Sequence, residues 1–312
     1  MNEKPAGRFL PQIALLSAAL IWGLSFVVIK NVLDVFPPMY LLAIRFTAAS
    51  LMLAVLFRKR LKKIDKGLLV NAGIAGICLF AAYTTQTFGI TETTPGKNAF
   101  LTAVYCVIVP FLFWMAGGER PTVWNISAAA LCLLGIGLVS MSDGLSIGRG
   151  DSLTILGGFL YAVHIVVLSR RCGKYDASLV TIVQFVSAGI CAWIAGGLTE
   201  SFPAASAFSG ESLWRLAYLT FLASAVAMLC QTYGQRHASP SAASILLSQE
   251  AVFGVACSTL LYGEVLTPRL VLGFAVIFAA VVTSETKWSF LRARKKAQSG
   301  GFYLFLSVEW ET

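Results

Sequence analysis

The sequence predicts an all-α integral membrane protein in which ten transmembrane helices form two inverted five-helix repeats. Composition, the spacing of apolar stretches and an internal repeat support this prediction. Of 312 residues, 57% are hydrophobic and only 12% are charged, which is about half the charged share of a typical soluble domain. A bilayer solvates apolar surface that a soluble fold of this length would have to bury.

Ten apolar stretches are long enough to cross a hydrocarbon core of about 30 Å as helices. They cover residues 11–29, 39–57, 68–90, 98–116, 122–140, 152–171, 178–198, 213–235, 241–262 and 269–286. Turn signals such as Phe36-Pro37-Pro38 and Thr94-Pro95-Gly96 separate them. Membrane barrel strands are about 10 residues long and alternate in polarity. These stretches do neither, so helices are expected.

The distribution of lysine and arginine predicts that both termini are cytoplasmic. With the N-terminus inside, 18 of the 24 basic residues lie on the cytoplasmic side, including the cluster from Arg58 to Lys66. Five lie on the other side, and Arg45 lies within a helix. Short cytoplasmic loops of membrane proteins are enriched in Lys and Arg. The net charge of +9 is therefore interpreted as an orientation signal, and no nucleic-acid partner is expected.

The second half of the chain repeats the first. At a separation of 145 residues, Gln86-Thr87-Phe88-Gly89 matches Gln231-Thr232-Tyr233-Gly234, and Gly118-Glu119 matches Gly263-Glu264. Earlier in each half the separation is 139 residues, which pairs Trp22 with Tyr161. The repeat predicts five-helix units at 11–140 and 152–286, followed by a basic cytoplasmic tail at 287–312. Because five is odd, the second unit enters the membrane inverted, as in alternating-access carriers.

Several motifs together resemble a known family. They are the Trp22-Gly23-Leu24-Ser25-Phe26 start, Arg45 in the second stretch, the Gly-Glu plus Thr patterns at 118–122 and 263–267, and the run Ser248 to Phe253. The chain is similar over residues 10–286 to EamA-type members of the drug/metabolite transporter superfamily. This resemblance implies a ten-helix, two-repeat exporter or permease of the inner membrane. It does not specify the solute, because members carry amino acids, sugars, nucleosides and other metabolites.

Ionisable residues near the bilayer centre need a reason, because each costs about 2.5–3.5 kcal/mol on insertion scales. Glu250 is either a structural carboxyl or a proton-coupling and amine-binding group. Arg45 either snorkels or forms a structural ion pair, or it binds a substrate carboxylate or phosphate; paired with Glu250 it would form a gate. His164 is either a neutral hydrogen-bonding group or a pH-sensitive coupling residue.

A substrate site near the midplane is predicted from polar and aromatic residues, several of them repeat mates. The predicted substrate-binding residues are Trp22, Tyr83, Gln86, Asn98, Tyr105, Tyr161, His164, Gln231 and Gln249, with Glu250 and Arg45 as coupling or gating residues. Helix packing is the competing explanation, because polar side chains often merely bridge neighbouring membrane helices. The seven cysteines form no CxxC pair, so no metal or cofactor is expected.

These observations predict a secondary transporter that moves a small organic metabolite, such as an amino acid, across the inner membrane. The expected partners are the solute, membrane lipid and, as an open alternative, protons; the protein is expected to be a monomer or weak homodimer. A channel or facilitated-diffusion pore is the alternative function. An enzyme is not expected, because the chain has only two histidines and no clustered aspartates.

Overall fold

The computed structural model describes residues 10–140 and 147–286, and this part of the chain is all-helical. Its α-helices are α1 (Leu10–Val32), α2 (Pro38–Leu56), α3 (Lys66–Thr91), α4 (Pro95–Thr102), α5 (Tyr105–Met115), α6 (Val123–Ser140), α7 (Arg149–Val167), α8 (Ala177–Thr199), α9 (Gly210–Ala217), α10 (Ala227–Arg236), α11 (Pro240–Cys257) and α12 (Pro268–Thr286). The predicted tail at 287–312 lies outside the described residues.

Eight helical segments within the described ranges are long and apolar enough to cross a membrane, by length and composition. They are Leu10–Val32, Pro38–Leu56, Lys66–Thr91, Pro95–Met115, Arg149–Cys172, Ala177–Thr199, Gly210–Arg236 and Ala243–Tyr262. The fifth and tenth predicted stretches correspond to two shorter apolar helices, Val123–Val139 and Pro268–Thr283. The chain is therefore a multi-pass membrane protein.

Several predicted stretches are not uniform α-helices. A turn at residues 103–104 separates α4 from α5, where one helix was expected over 98–116. The segment from α9 to α10 passes through a π-helical stretch at Tyr218–Val226, and shorter π-helical segments follow α7 and α11. Insertions of this kind rotate the side chains that follow them and are frequent at functional sites.

Local signals explain where helices begin. Pro38, Pro95, Pro240 and Pro268 are the first residues of their helices, where the missing N–H has no intrahelical acceptor to lose. Asp65 caps α3 by accepting a 2.6 Å hydrogen bond from the backbone N–H of Leu68. Thr94 and Asp176 cap α4 and α8 in the same way. These caps satisfy N–H groups that a helix leaves unpaired.

The most extensive interfaces join a helix before residue 141 to one after residue 146. The pairs are α6 with α12, α3 with α7, α1 with α11, and α2 with α8. Glycine permits the closest approach between α1 and α11, because a Cβ at Gly23 would lie 2.3 Å from the Cβ of Phe253. The two halves are thus interleaved, and their interface surrounds the site described next.

Candidate functional site

A cavity lies among helices from both halves and encloses about 450 Å³ of space between atoms, counting its open part. Its lining residues are Trp22, Ser25, Phe26, Ile29, Tyr83, Gln86, Tyr105, Tyr161, Ile165, Gln231, Leu247 and Glu250. The walls are thus aromatic and aliphatic, with a few amide, hydroxyl and carboxyl groups directed inward.

Seven of the eleven predicted site residues line this cavity: Trp22, Tyr83, Gln86, Tyr105, Tyr161, Gln231 and Glu250. Hydrogen bonds fix several of them. Trp22 donates from Nε1 to the carbonyl of Ala223 at 2.7 Å. The Gln86 amide donates from Nε2 to Thr102 at 3.1 Å. The polar walls therefore have set orientations.

Glu250 is the one acidic residue among those lining the cavity. Glu250 is 5% exposed. Within the described ranges, no basic group lies within ion-pair distance of its carboxyl group. Tyr105 faces it from α5, yet the Tyr105 hydroxyl has no hydrogen-bond partner of ordinary geometry in the described structure. Glu250 thus has capacity left to bind a proton or an amine.

Arg45 lies behind the cavity wall. It is 1% exposed, and Nε and Nη2 donate to the Ser224 hydroxyl at 3.3 and 3.2 Å. Its guanidinium lies 5.4 Å from the ring centre of Tyr83. Nη1 has no hydrogen-bond partner, and no carboxylate pairs with Arg45, among the residues that the structure describes. Arg45 is therefore buried, and it makes no ion pair with Glu250 in this structure.

The other three predicted residues do not line the cavity. Asn98 is fully buried and donates to Thr154 Oγ1 at 2.7 Å. His164 is also fully buried, and its Nε2 lies 3.1 Å from Oε1 of Gln184. The Gln249 amide bonds back to the carbonyl of Ile245 at 3.4 Å in its own helix. Their contacts in this structure are interhelical or local packing contacts.

Five lining residues were missed by the sequence prediction: Ser25, Phe26, Ile29, Ile165 and Leu247. The repeat contained a usable signal for two of them. Phe26 and Ile165 are mates at the 139-residue separation, as Trp22 and Tyr161 are. Tyr105 and Glu250 are mates at 145 residues, as are Gln86 and Gln231. Four mate pairs therefore contribute to the walls.

Comparison with known proteins gives the family of this chain and relatives that are named transporters. The model of the EamA-like transporter family matches residues 10–141 and 148–285, so the chain belongs to that family. An uncharacterized transporter of Archaeoglobus fulgidus is 28% identical over 279 residues, which are 89% of this chain and 86% of that protein. The uncharacterized inner membrane transporter YedA of Escherichia coli K12 is 26% identical over 89% of this chain and 91% of its own.

A solved crystal structure shares the fold. Its TM-score is 0.66 at 15% sequence identity, and the match covers 89% of this chain and 98% of that one. The similarity extends the fold assignment to an experimental structure.

Proposed function

We propose that the protein is a secondary carrier, an exporter or permease, for a small zwitterionic metabolite of the amino-acid type. It works by alternating access across the inner membrane, with two inverted five-helix units enclosing the solute at the cavity. Membership of the EamA-like transporter family supports the transport activity. The solute class rests on the charges described next.

The observation that carries the proposal is a buried carboxyl group and a buried guanidinium group, neither with an ion-pair partner among the described residues. Glu250 lines the cavity, and Arg45 is buried just behind its wall. Both lie within electrostatic range of Tyr83 and Tyr161, two cavity residues whose rings are 5.5 Å apart. Among the described residues, neither charge has an opposite charge within 4 Å.

Unpaired buried charges are costly, so a ligand that offsets both would bind favourably. An amino group would pair with the Glu250 carboxyl, and a carboxylate would accept from Nη1 of Arg45. Arginine suits this task because its planar guanidinium matches carboxylate geometry. The tyrosine and tryptophan rings would contact the side chain of the solute and exclude water.

Repeat mates on the cavity wall and packing across the halves support the inverted-repeat architecture. The repeat relates α1 to α7, and it relates α11 to α4 and α5. Two-fold symmetry between the halves therefore requires that α7 contacts α4 and α5 as α1 contacts α11, and both contacts occur. An inverted pair of units allows two conformations of similar energy, each open to one side. The lysine and arginine distribution supports cytoplasmic termini.

A proteoliposome assay tests the proposal. Purified protein would be reconstituted and uptake of labelled amino acids measured, with and without a pH gradient, against the matched amine and the matched carboxylic acid. Saturable uptake of the zwitterion, competed weakly by either half-molecule, is expected. Flux that rises linearly with concentration would favour a pore, and equal competition by the amine alone would reject the Arg45 assignment.

A further inference from the structure

Glu264 fastens the loop after α11 to the start of α4. Its carboxylate accepts from the Thr94 and Ser258 hydroxyls and from the backbone N–H of Gly96 at 2.9 Å. The residue is 8% exposed. A carboxylate held by hydroxyl and backbone donors at a helix start makes charge-assisted hydrogen bonds, the stronger kind.

Gly96 is fitted to this contact. A Cβ at that position would lie 2.5 Å from Oε2 of Glu264, so a larger residue would push the carboxylate away. Glu264 itself follows Gly263, whose φ of +75° is accessible to glycine at little cost. The sequence on both sides of the contact is therefore adapted to close approach.

The repeat mate of Glu264 is Glu119, at a separation of 145 residues. At the same separation, Ser239 is the repeat mate of Thr94 and Ser241 is the repeat mate of Gly96. Both serines lie at the start of α11. Glu119 is exposed, and within the described ranges its carboxylate has no hydrogen bond or ion pair. Its loop also turns differently, because the positive φ of +81° is at Gly117, two residues before it.

We propose that Glu264 and Glu119 are alternating latches that hold the outer and inner gates of the carrier shut in turn. This inference rests on the proposed alternating access. In the observed conformation the outer latch is engaged and the inner latch is released. When the cavity opens outward, Glu264 leaves Thr94 and Gly96, and Glu119 accepts from the Ser239 hydroxyl and the first N–H groups of α11.

The two latches are unequal. Ser258 gives Glu264 a third donor, whereas its repeat mate is Phe113, which cannot donate. In the inner latch, Ser241 also stands at the position of Gly96, where the carboxylate of the outer latch comes closest to the backbone. The outer latch should therefore be the stronger, and the carrier without solute should rest closed to the outside.

Side-specific labelling tests this inference. Ser25 lines the cavity, so Ser25→Cys would be introduced after the native cysteines are replaced. A small charged thiol reagent would be applied to intact cells and to inverted vesicles. We expect Glu264→Gln and Gly96→Ala to speed labelling from outside about tenfold, because a hydrogen bond to a charged group contributes at least that factor to an equilibrium.

Labelling from inside should slow in the same two variants, and Glu119→Gln should slow labelling from outside. Glu211→Gln is the matched control, because Glu211 lies in the same half of the chain, at the predicted outer face, and among the described residues it pairs only with Arg215 at the surface. Faster labelling from both sides would indicate general loosening and overturn the latch. No change in a protein whose labelling still responds to solute would reject the latch but keep the carrier. Labelling of the parent protein from one side under all conditions would reject alternating access itself.

Discussion

Tyr161 donates a 2.9 Å hydrogen bond to Oε1 of Gln86 and so joins α7 to α3 at the cavity wall. The Nε2 end of the same side-chain amide donates to Thr102. The backbone carbonyl of Gln86 also accepts from Nδ2 of Asn98 at 3.4 Å. The amide is thus held from both ends. A side chain held in this way presents a preorganised surface to a solute, which reduces the cost of binding.

Tyr161→Phe should therefore weaken solute binding while leaving the fold intact. Loss of one neutral hydrogen bond is worth about 1 kcal/mol, so the KM for transport should rise about fivefold with a smaller change in maximal rate. Concentration series in proteoliposomes measure both. Tyr175→Phe, which removes a hydroxyl beside Asn71 outside the cavity, should leave both values unchanged; an equal effect would place the role of Tyr161 in general packing.

Glu250→Gln should reduce transport of the zwitterion by about a hundredfold or more, because an uncompensated amino group in a buried site costs about 3–5 kcal/mol. The substitution keeps the size of the side chain and removes only its charge and proton binding. Initial uptake rates at solute concentrations well below the parental KM provide the measurement. Retention of parental rates would show that Glu250 is a structural carboxyl.

Arg45→Gln should weaken binding of the carboxylate end of the solute without affecting binding of the amino end. Without the guanidinium the carboxylate loses its charged donor, so the zwitterion should bind about tenfold or more weakly. The matched amine, which has no carboxylate, should compete as well as it does against the parent protein. Equal loss of both would mean that Arg45 supports the packing of α2 rather than the solute.

The repeat predicted more of the site than residue type did. Mate pairs such as Trp22 and Tyr161 both reach the cavity, because equivalent positions in two copies of one unit approach a shared interface in the same way. Asn98 and His164 were predicted on polarity alone, and helix rotation turns them toward Thr154 and Gln184 instead. A polar residue in an apolar stretch indicates a buried hydrogen-bonding group, but it does not indicate which face of the helix carries that group.

Breaks within helices were less predictable than the helices themselves. Apolar composition indicates a membrane helix but is the same in α-helical and π-helical turns, so the stretch at Tyr218–Val226 carries no clear signal. That stretch places Ser224 beside Arg45 and the Ala223 carbonyl beside Trp22. The surroundings of Arg45 therefore depended on backbone geometry that composition cannot encode.

Asp176 provides a prediction outside the membrane-spanning segments. Burial raises its pKa, but hydrogen bonding from Ser178 and the charge of Arg60 outweigh this and leave the pKa below its ordinary value of 3.8. A depressed pKa stabilises the fold above the ordinary value, and this contribution is lost as pH falls through the folded-state pKa. Asp176→Ala, which also removes the α8 cap, should cost about 1 kcal/mol at pH 7.

The stability difference between the parent and Asp176→Ala should shrink as the pH falls through the depressed pKa. Thermal unfolding in detergent across an acid series measures it. A difference that stays constant with pH would assign the effect to the loss of side-chain volume.

Gly23→Ala and Gly73→Ala should change stability in opposite directions, although both place a methyl group on a membrane helix. At Gly23 the new Cβ would lie 2.3 Å from the Cβ of Phe253, whereas a Cβ at Gly73 would meet no atom of another part of the chain within 4 Å. Overpacking costs about 1–3 kcal/mol, while alanine in an open helical position gains up to about 1 kcal/mol over glycine. Thermal unfolding in one detergent should thus rank Gly73→Ala above the parent and Gly23→Ala below it. The reverse order would mean that α1 and α11 do not pack at Gly23 as closely as the structure has them, and the cavity wall between Trp22 and Glu250 would have to be redrawn.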